Sequence, residues 1–119
     1  MLYTAGASVL ERAKRKLKTY HIVRGCGNDV VVPDMVDLDQ YRSGVLTWDG
    51  LKVNYLAKLM RPEADEWMKH VAEEAVSVDV VLVDEEKDAE HSCRKLLAEM
   101  MMSMFSGRLK LKHMGELTG

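Results

Sequence analysis

A mixed α/β domain, two-layered, with about four to six short strands against three or four helices, is the fold this chain predicts. Three observations predict it. Stretches of helical periodicity alternate with short runs rich in β-branched residues. Val78–Asp84 is almost wholly apolar around Asp79, the pattern of a strand in a sheet covered on both faces. No repeat, low-complexity segment or proline-rich linker divides the 119 residues, which predicts one domain over 1–119.

The elements are expected in this order. Residues 7–20 read as a helix with Val9, Leu10, Ala13, Leu17 and Tyr20 on one face and Lys14, Arg15 and Lys18 opposite. Tyr20–Arg24 reads as a short strand ended by Gly25-Cys26-Gly27-Asn28, and Asp29–Val32 as a second one stopped by Pro33. Asp34, Asp37 and Asp39 are expected to make turns. Val45–Tyr55 alternates around Asp49-Gly50, the dipeptide of a type I′ turn, and predicts a hairpin followed by one or two helical turns ending at Arg61. The competing helix over 49–60 buries Leu51, Tyr55 and Leu59 but puts Lys52 in the apolar arc.

Pro62 suits the first turn of a helix reaching about Val76, whose buried stripe is Ala64, Trp67, Met68, Val71, Ala72 and Ala75. After the 78–84 strand, a long Met-rich helix is expected from about Glu85 to Ser106, with Asp84 as N-cap and Gly107 closing it. Arg108–Lys112 alternates as a final edge strand.

Hydrophobic residues make up 47% of the chain, enough for a core without a disulfide framework or structural metal. Charged residues make up 30%, and apolar runs are short, which excludes disorder and membrane insertion as readings. The basic stretch after the first ten residues runs opposite to signal-peptide order, and two cysteines suit a reducing compartment. A cytoplasmic protein is therefore expected, or a virion component if phage-encoded. The net charge of −2 hides an asymmetry. Residues 1–24 carry six bases against Glu11, and residues 25–93 carry sixteen acids against six bases. Residues 94–119 are basic again, with five bases against two acids.

Candidate chemistry is sparse. Gly-x-Ser-x-Gly, His-Glu-x-x-His, P-loop and Cys-x-x-Cys motifs are missing from the sequence, and the aspartates at 34–39 lack the glycine and distal glutamate of a calcium loop. Glu63, Glu66, His70, Glu73 and Glu74 share a helix face, which reads as a solvated acidic face. Cys26 has only His21 nearby in sequence as a base, and Cys93 falls on an apolar stripe and reads as core. No catalytic residue, metal ligand or cofactor is assigned.

Two surfaces remain. Arg12, Lys14, Arg15, Lys16, Lys18 and Arg24 form a basic stretch suited to the phosphates of RNA or DNA, or to an acidic protein partner, with Tyr3 and Tyr20 available for stacking. Met100, Met101, Met102, Met104 and Phe105 widen the apolar stripe of the last helix beyond what a core needs, which suits a homodimer interface. The expected function is thus a non-enzymatic binding, assembly or regulatory module, homodimeric, of the kind bacteriophage accessory factors provide. The alternative is a small metal-dependent hydrolase using Asp84, Glu85 and Asp88 at the strand end, helped by His91.

Overall fold

The computed structural model describes residues 1–6, 18–86, 88, 90–105 and 109–115, and in the last five the backbone carries the description apart from Leu111. Among the described residues, four parallel strands form one sheet: β1 (Leu2–Gly6), β2 (Lys18–His21), β3 (Val80–Asp84) and β4 (Leu111–Gly115), in the order β2-β3-β1-β4. Among the same residues, four helices accompany them: α1 (Met35–Arg42), α2 (Trp48–Leu59), α3 (Pro62–Ser77) and α4 (Cys93–Met104). The α/β class is the expected one, with the strand number at the low end of the expected range.

β3 has all five residues buried, as its apolar sequence implies. Alternation along the strands splits the core in two. Leu2, Val80 and Leu82 face the described helices and join Leu51, Tyr55, Leu59, Met68, Val71, Leu97 and Met101 in the main cluster. Tyr3, Ala5, Val81 and Val83 form a smaller buried cluster on the opposite face. β2 and β4 are the edges.

Several expectations are corrected. Lys18–Tyr20 is strand, so the first strand-forming stretch after β1 begins where the helix over 7–20 was expected to end. The rest of that helix, with Arg12, Lys14, Arg15 and Lys16, lies outside the described residues. Asp29–Val31 is a single 3-10 turn, pinned by the Tyr55 hydroxyl, which donates to Val31 O at 2.5 Å. α1 stands where turns were expected. Its Asp34 N-cap makes no side-chain cap bond and is held instead by Lys58 Nζ at 3.0 Å, a long-range contact that sequence spacing does not show.

The expected hairpin at 45–55 is helix α2. Thr47 accepts a hydrogen bond from Gly50 N at 3.1 Å, an N-cap worth about 1 kcal/mol. Gly50 serves close packing rather than a turn: a Cβ there would stand 2.6 Å from Leu46 Cδ1. Leu51, Tyr55 and Leu59 are buried, while Lys52 is exposed.

α3 matches its expected span within a residue, with Trp67 half-buried rather than in the buried stripe. The last helix starts at Cys93, not near Glu85. Asp84 Oδ1 accepts from Glu86 N at 3.0 Å, and Asp88 Oδ1 from Glu90 N at 3.0 Å. In both places the aspartate offers a nearby backbone N–H an acceptor that competes with helical bonding. Its buried stripe is Cys93, Arg94, Leu97, Ala98 and Met101 in the helix α4 that follows. Met101 is therefore core and unavailable to a partner, while Met100, Met102, Met104 and Phe105 are half-buried against the same core. The final strand is Leu111–Gly115 rather than 108–112.

Candidate functional site

Parallel α/β sheets present their ligands at the carboxyl ends of the strands. Here a cleft of about 140 Å³ opens beside the carboxyl ends of β2 and β3. Its apolar lining comes from Ile22 and Val23 after β2, from Val32 and Pro33 after the 3-10 turn, and from Met35 and Leu38 of α1. Cys93, at the start of α4, completes that lining. Arg24, Arg42, Asp84, Glu85 and Glu86 supply the charge.

The turn that carries Arg24 is fastened from both sides. Gly25 and Gly27 adopt φ of +85° and +88°, a region that favours glycine, and Gly25 N donates to Asp29 Oδ1 at 2.9 Å. Asn28 Nδ2 donates to His21 O at 2.9 Å, and Trp67 Nε1 donates to Asn28 Oδ1 at 3.1 Å. Cys26 rides exposed on this turn.

Asp84, Glu86, Asp88 and Glu90, at and after the end of β3, each face a basic side chain. Asp84, 5% exposed, accepts from Arg94 Nη1 on Oδ1 and from Arg94 N at 3.1 Å on Oδ2. Arg94 is 1% exposed, and its Nη1 also donates to Glu86 O at 2.6 Å. Its Nη2 is the one buried side-chain polar atom with no hydrogen bond among the described residues. Burial pushes the Asp84 carboxyl up, against the opposing pull of the Arg94 guanidinium and the N–H donors. Glu86 pairs with Arg42 at 2.8 Å, Asp88 with His91 at 2.9 Å and Glu90 with Lys95 at 2.8 Å. A little desolvation raises the Asp88 carboxyl, but bonds from Glu90 N and from the His91 ring and N–H outweigh it and hold it below the usual range.

The Cys93 thiol is 3% exposed. Burial pushes it well above the ordinary thiol range, and the Asp84 and Glu86 carboxylates push it further, which makes it inert as a nucleophile. Outside the cleft lining, Tyr41, Trp48 and His91 form a ladder of rings with centroids 5.8 and 5.2 Å apart.

The residues singled out in the sequence are placed unevenly. Arg24 reaches the cleft, whereas Lys18 lies at the start of β2 with Nζ 3.9 Å from Glu74. Tyr3 and Tyr20 are not free to stack on a base. Tyr3 is 6% exposed in the second core cluster, and Tyr20 packs edge-on against Trp67 and donates to Glu74 Oε1 at 2.5 Å. Asp84 and Glu85 share the cleft, while Asp88 and His91 are outside its lining. No group of three or more His, Cys, Asp or Glu side chains among the described residues is arranged to hold a metal. Arg94 and Arg42 were missed. A signal for Arg94 existed in the spacing Arg94, Leu97, Ala98, Met101, which is one apolar helix stripe entered by an arginine.

The fold and cleft define a parallel α/β domain with a small cleft of apolar and charged lining at its strand ends. Residues 10–101 match the model of DUF488, a domain of unknown function, and the chain belongs to that family. The matched span includes β2, the cleft residues and the Asp84–Arg94 pair. No curated protein and no solved structure matches the chain. No helix among the described residues is long and apolar enough to cross a membrane.

Proposed function

We propose that this chain is a non-enzymatic binding module that contacts nucleic acid through its basic stretch and the cleft where that stretch ends. The observation that carries the reading is the buried pairing of Asp84 with Arg94 at the end of β3. It leaves the Asp84 carboxylate tied to a guanidinium rather than free as a general base or metal ligand. Arg24, by contrast, stands exposed on the cleft at the end of a stretch that carries six bases from residue 12 to residue 24. With Tyr3 and Tyr20 engaged elsewhere, contact runs through phosphates, which predicts sequence-tolerant and salt-sensitive binding.

The test is fluorescence anisotropy with labelled single-stranded RNA and duplex DNA across a salt series. Binding should weaken steeply with salt, and glutamine at Arg12, Lys14, Arg15, Lys18 and Arg24 should remove it. If the wild-type protein binds neither probe at low salt, the nucleic-acid reading fails and an acidic protein partner replaces it. The module is also proposed to self-associate as a homodimer over the half-buried flank of α4, formed by Met100, Met102, Met104 and Phe105. Light scattering that returns 13.5 kDa at tens of micromolar rejects the dimer.

The hydrolase reading keeps one supporting observation: Asp84, Glu85 and Glu86 line the same cleft. A clear rise in melting temperature with Mg²⁺, Mn²⁺ or Zn²⁺ would favour it over the module.

A further inference from the structure

The lining of the cleft is mixed. Ile22, Val32, Pro33 and Leu38 give it apolar surface, and Arg24 and Arg42 add two arginines to the same lining. We infer that the cleft takes a planar ring joined through a sugar to a phosphate, as in a nucleoside monophosphate, with the ring against the apolar lining and the phosphate on the two arginines. The inference deepens the binding reading above and rests on it for the class of ligand.

Size favours a single ring. The space is about 140 Å³, and a cavity of about 150 Å³ holds benzene. Charge favours an anionic group elsewhere on the same ligand. The floor of the cleft is not a free negative charge, because Asp84 is tied to Arg94. Arg24 has no ion-pair partner among the described residues. Arg42 has one, Glu86, but the Arg42 side chain is 48% exposed and such a pair is worth little, so a phosphate can exchange for the Glu86 carboxylate at small cost. Glu86 thus occupies the position of the anion when the cleft is empty. Glu85 lies on the same lining and repels simple anions, so the ring is needed to hold the ligand in place.

Isothermal titration of the full chain with uridine monophosphate, uridine and inorganic phosphate tests this. The nucleotide should bind about tenfold or more tighter than either fragment, the size of one charge-assisted contact. Arg24→Gln with Arg42→Gln should reduce the nucleotide to the level of the nucleoside, and Glu86→Gln should tighten it severalfold. Leu38→Trp, which fills the cleft, should abolish binding. Amide chemical shifts in the wild-type protein should move at residues 22–24, 32, 34–38 and 84–86, which covers the case in which the tryptophan variant does not fold. Inorganic phosphate binding as tightly as the nucleotide, unchanged binding in the double arginine variant, or no saturation at millimolar nucleotide overturns the inference. Mononucleotide binding without oligonucleotide binding keeps the cleft assignment and rejects the nucleic-acid reading. Oligonucleotide binding that survives with no mononucleotide binding does the reverse.

Discussion

Asp84, the last residue of β3, and Arg94, the second residue of α4, form an ion pair shut away from solvent, with Arg94 1% and Asp84 5% exposed. Because the Asp84 carboxylate also receives Arg94 N at 3.1 Å, one side chain both neutralises the arginine and caps the first turn of the helix. Removing one partner strands the other charge. Arg94→Ala and Asp84→Ala should each lower stability by about 3–5 kcal/mol in urea unfolding. The double variant Asp84→Leu, Arg94→Met should recover much of that loss, since apolar replacement of a buried pair is often neutral. Equal loss in all three would show that packing, not charge, is at stake.

The two thiols should separate kinetically. Cys26 is exposed and Cys93 is buried with its thiol pushed up. A disulfide reagent should titrate one thiol within seconds at neutral pH and the second only as denaturant unfolds the chain. Cys93→Ser should leave the fast phase intact. Two fast thiols in the native protein would contradict the packing of α4.

Alkaline pH should unfold the protein through its tyrosines. Burial, then the hydrogen bond to Glu74 and its charge, raise Tyr20 from 10.0 to about 12, and Tyr55, wholly buried, is raised well above 10.0. Below pH 10 both states are protonated and stability is complete. As pH climbs from 10 toward 12 the unfolded chain releases these protons while the folded one holds them, so stability falls. Melting temperature should drop across that window, and Tyr20→Phe should shrink the drop. A flat profile would mean that the phenol of Tyr20 is not held as described.

The Thr47 cap offers a local test. Thr47→Ala removes the acceptor for Gly50 N and should cost about 1 kcal/mol, with Thr47→Ser restoring most of it. If alanine is neutral there, α2 is held by packing of Leu51, Tyr55 and Leu59 alone.

Much of this fold was legible because local pattern and tertiary context agree. β3 and α3 were readable from Val80–Val83 and from the Ala64, Met68, Val71, Ala72, Ala75 stripe. Where they disagree, the sequence misleads. Asp49-Gly50 carries a turn signature, yet Thr47 caps a helix there and Leu46 needs the space that a side chain would take. Glu85–Glu90 has the acids of a helix start, but Asp84 and Asp88 spend their carboxylates on Glu86 N and Glu90 N. The cleft was only half visible. Asp84 and Glu85 marked the strand end, and the apolar stripe that Arg94 enters hinted at its buried partner, whereas Arg42 reaches the cleft through packing of α1 that no spacing rule supplies.

The strand order carries a consequence for how the chain is made. β1 pairs with β3 and β4, and β2 pairs with β3. A ribosome that has released everything up to residue 79 has therefore produced two strands with no described neighbour to bond. Their backbone donors and acceptors wait through most of translation, as long-range parallel pairing dictates. Only when Val80–Asp84 emerges does one strand close onto both at once, so the sheet zips from its middle rather than growing from an end. Stalling or truncation upstream of β3 leaves two unsatisfied edges, and the chain's exposure to aggregation and to chaperones is greatest there.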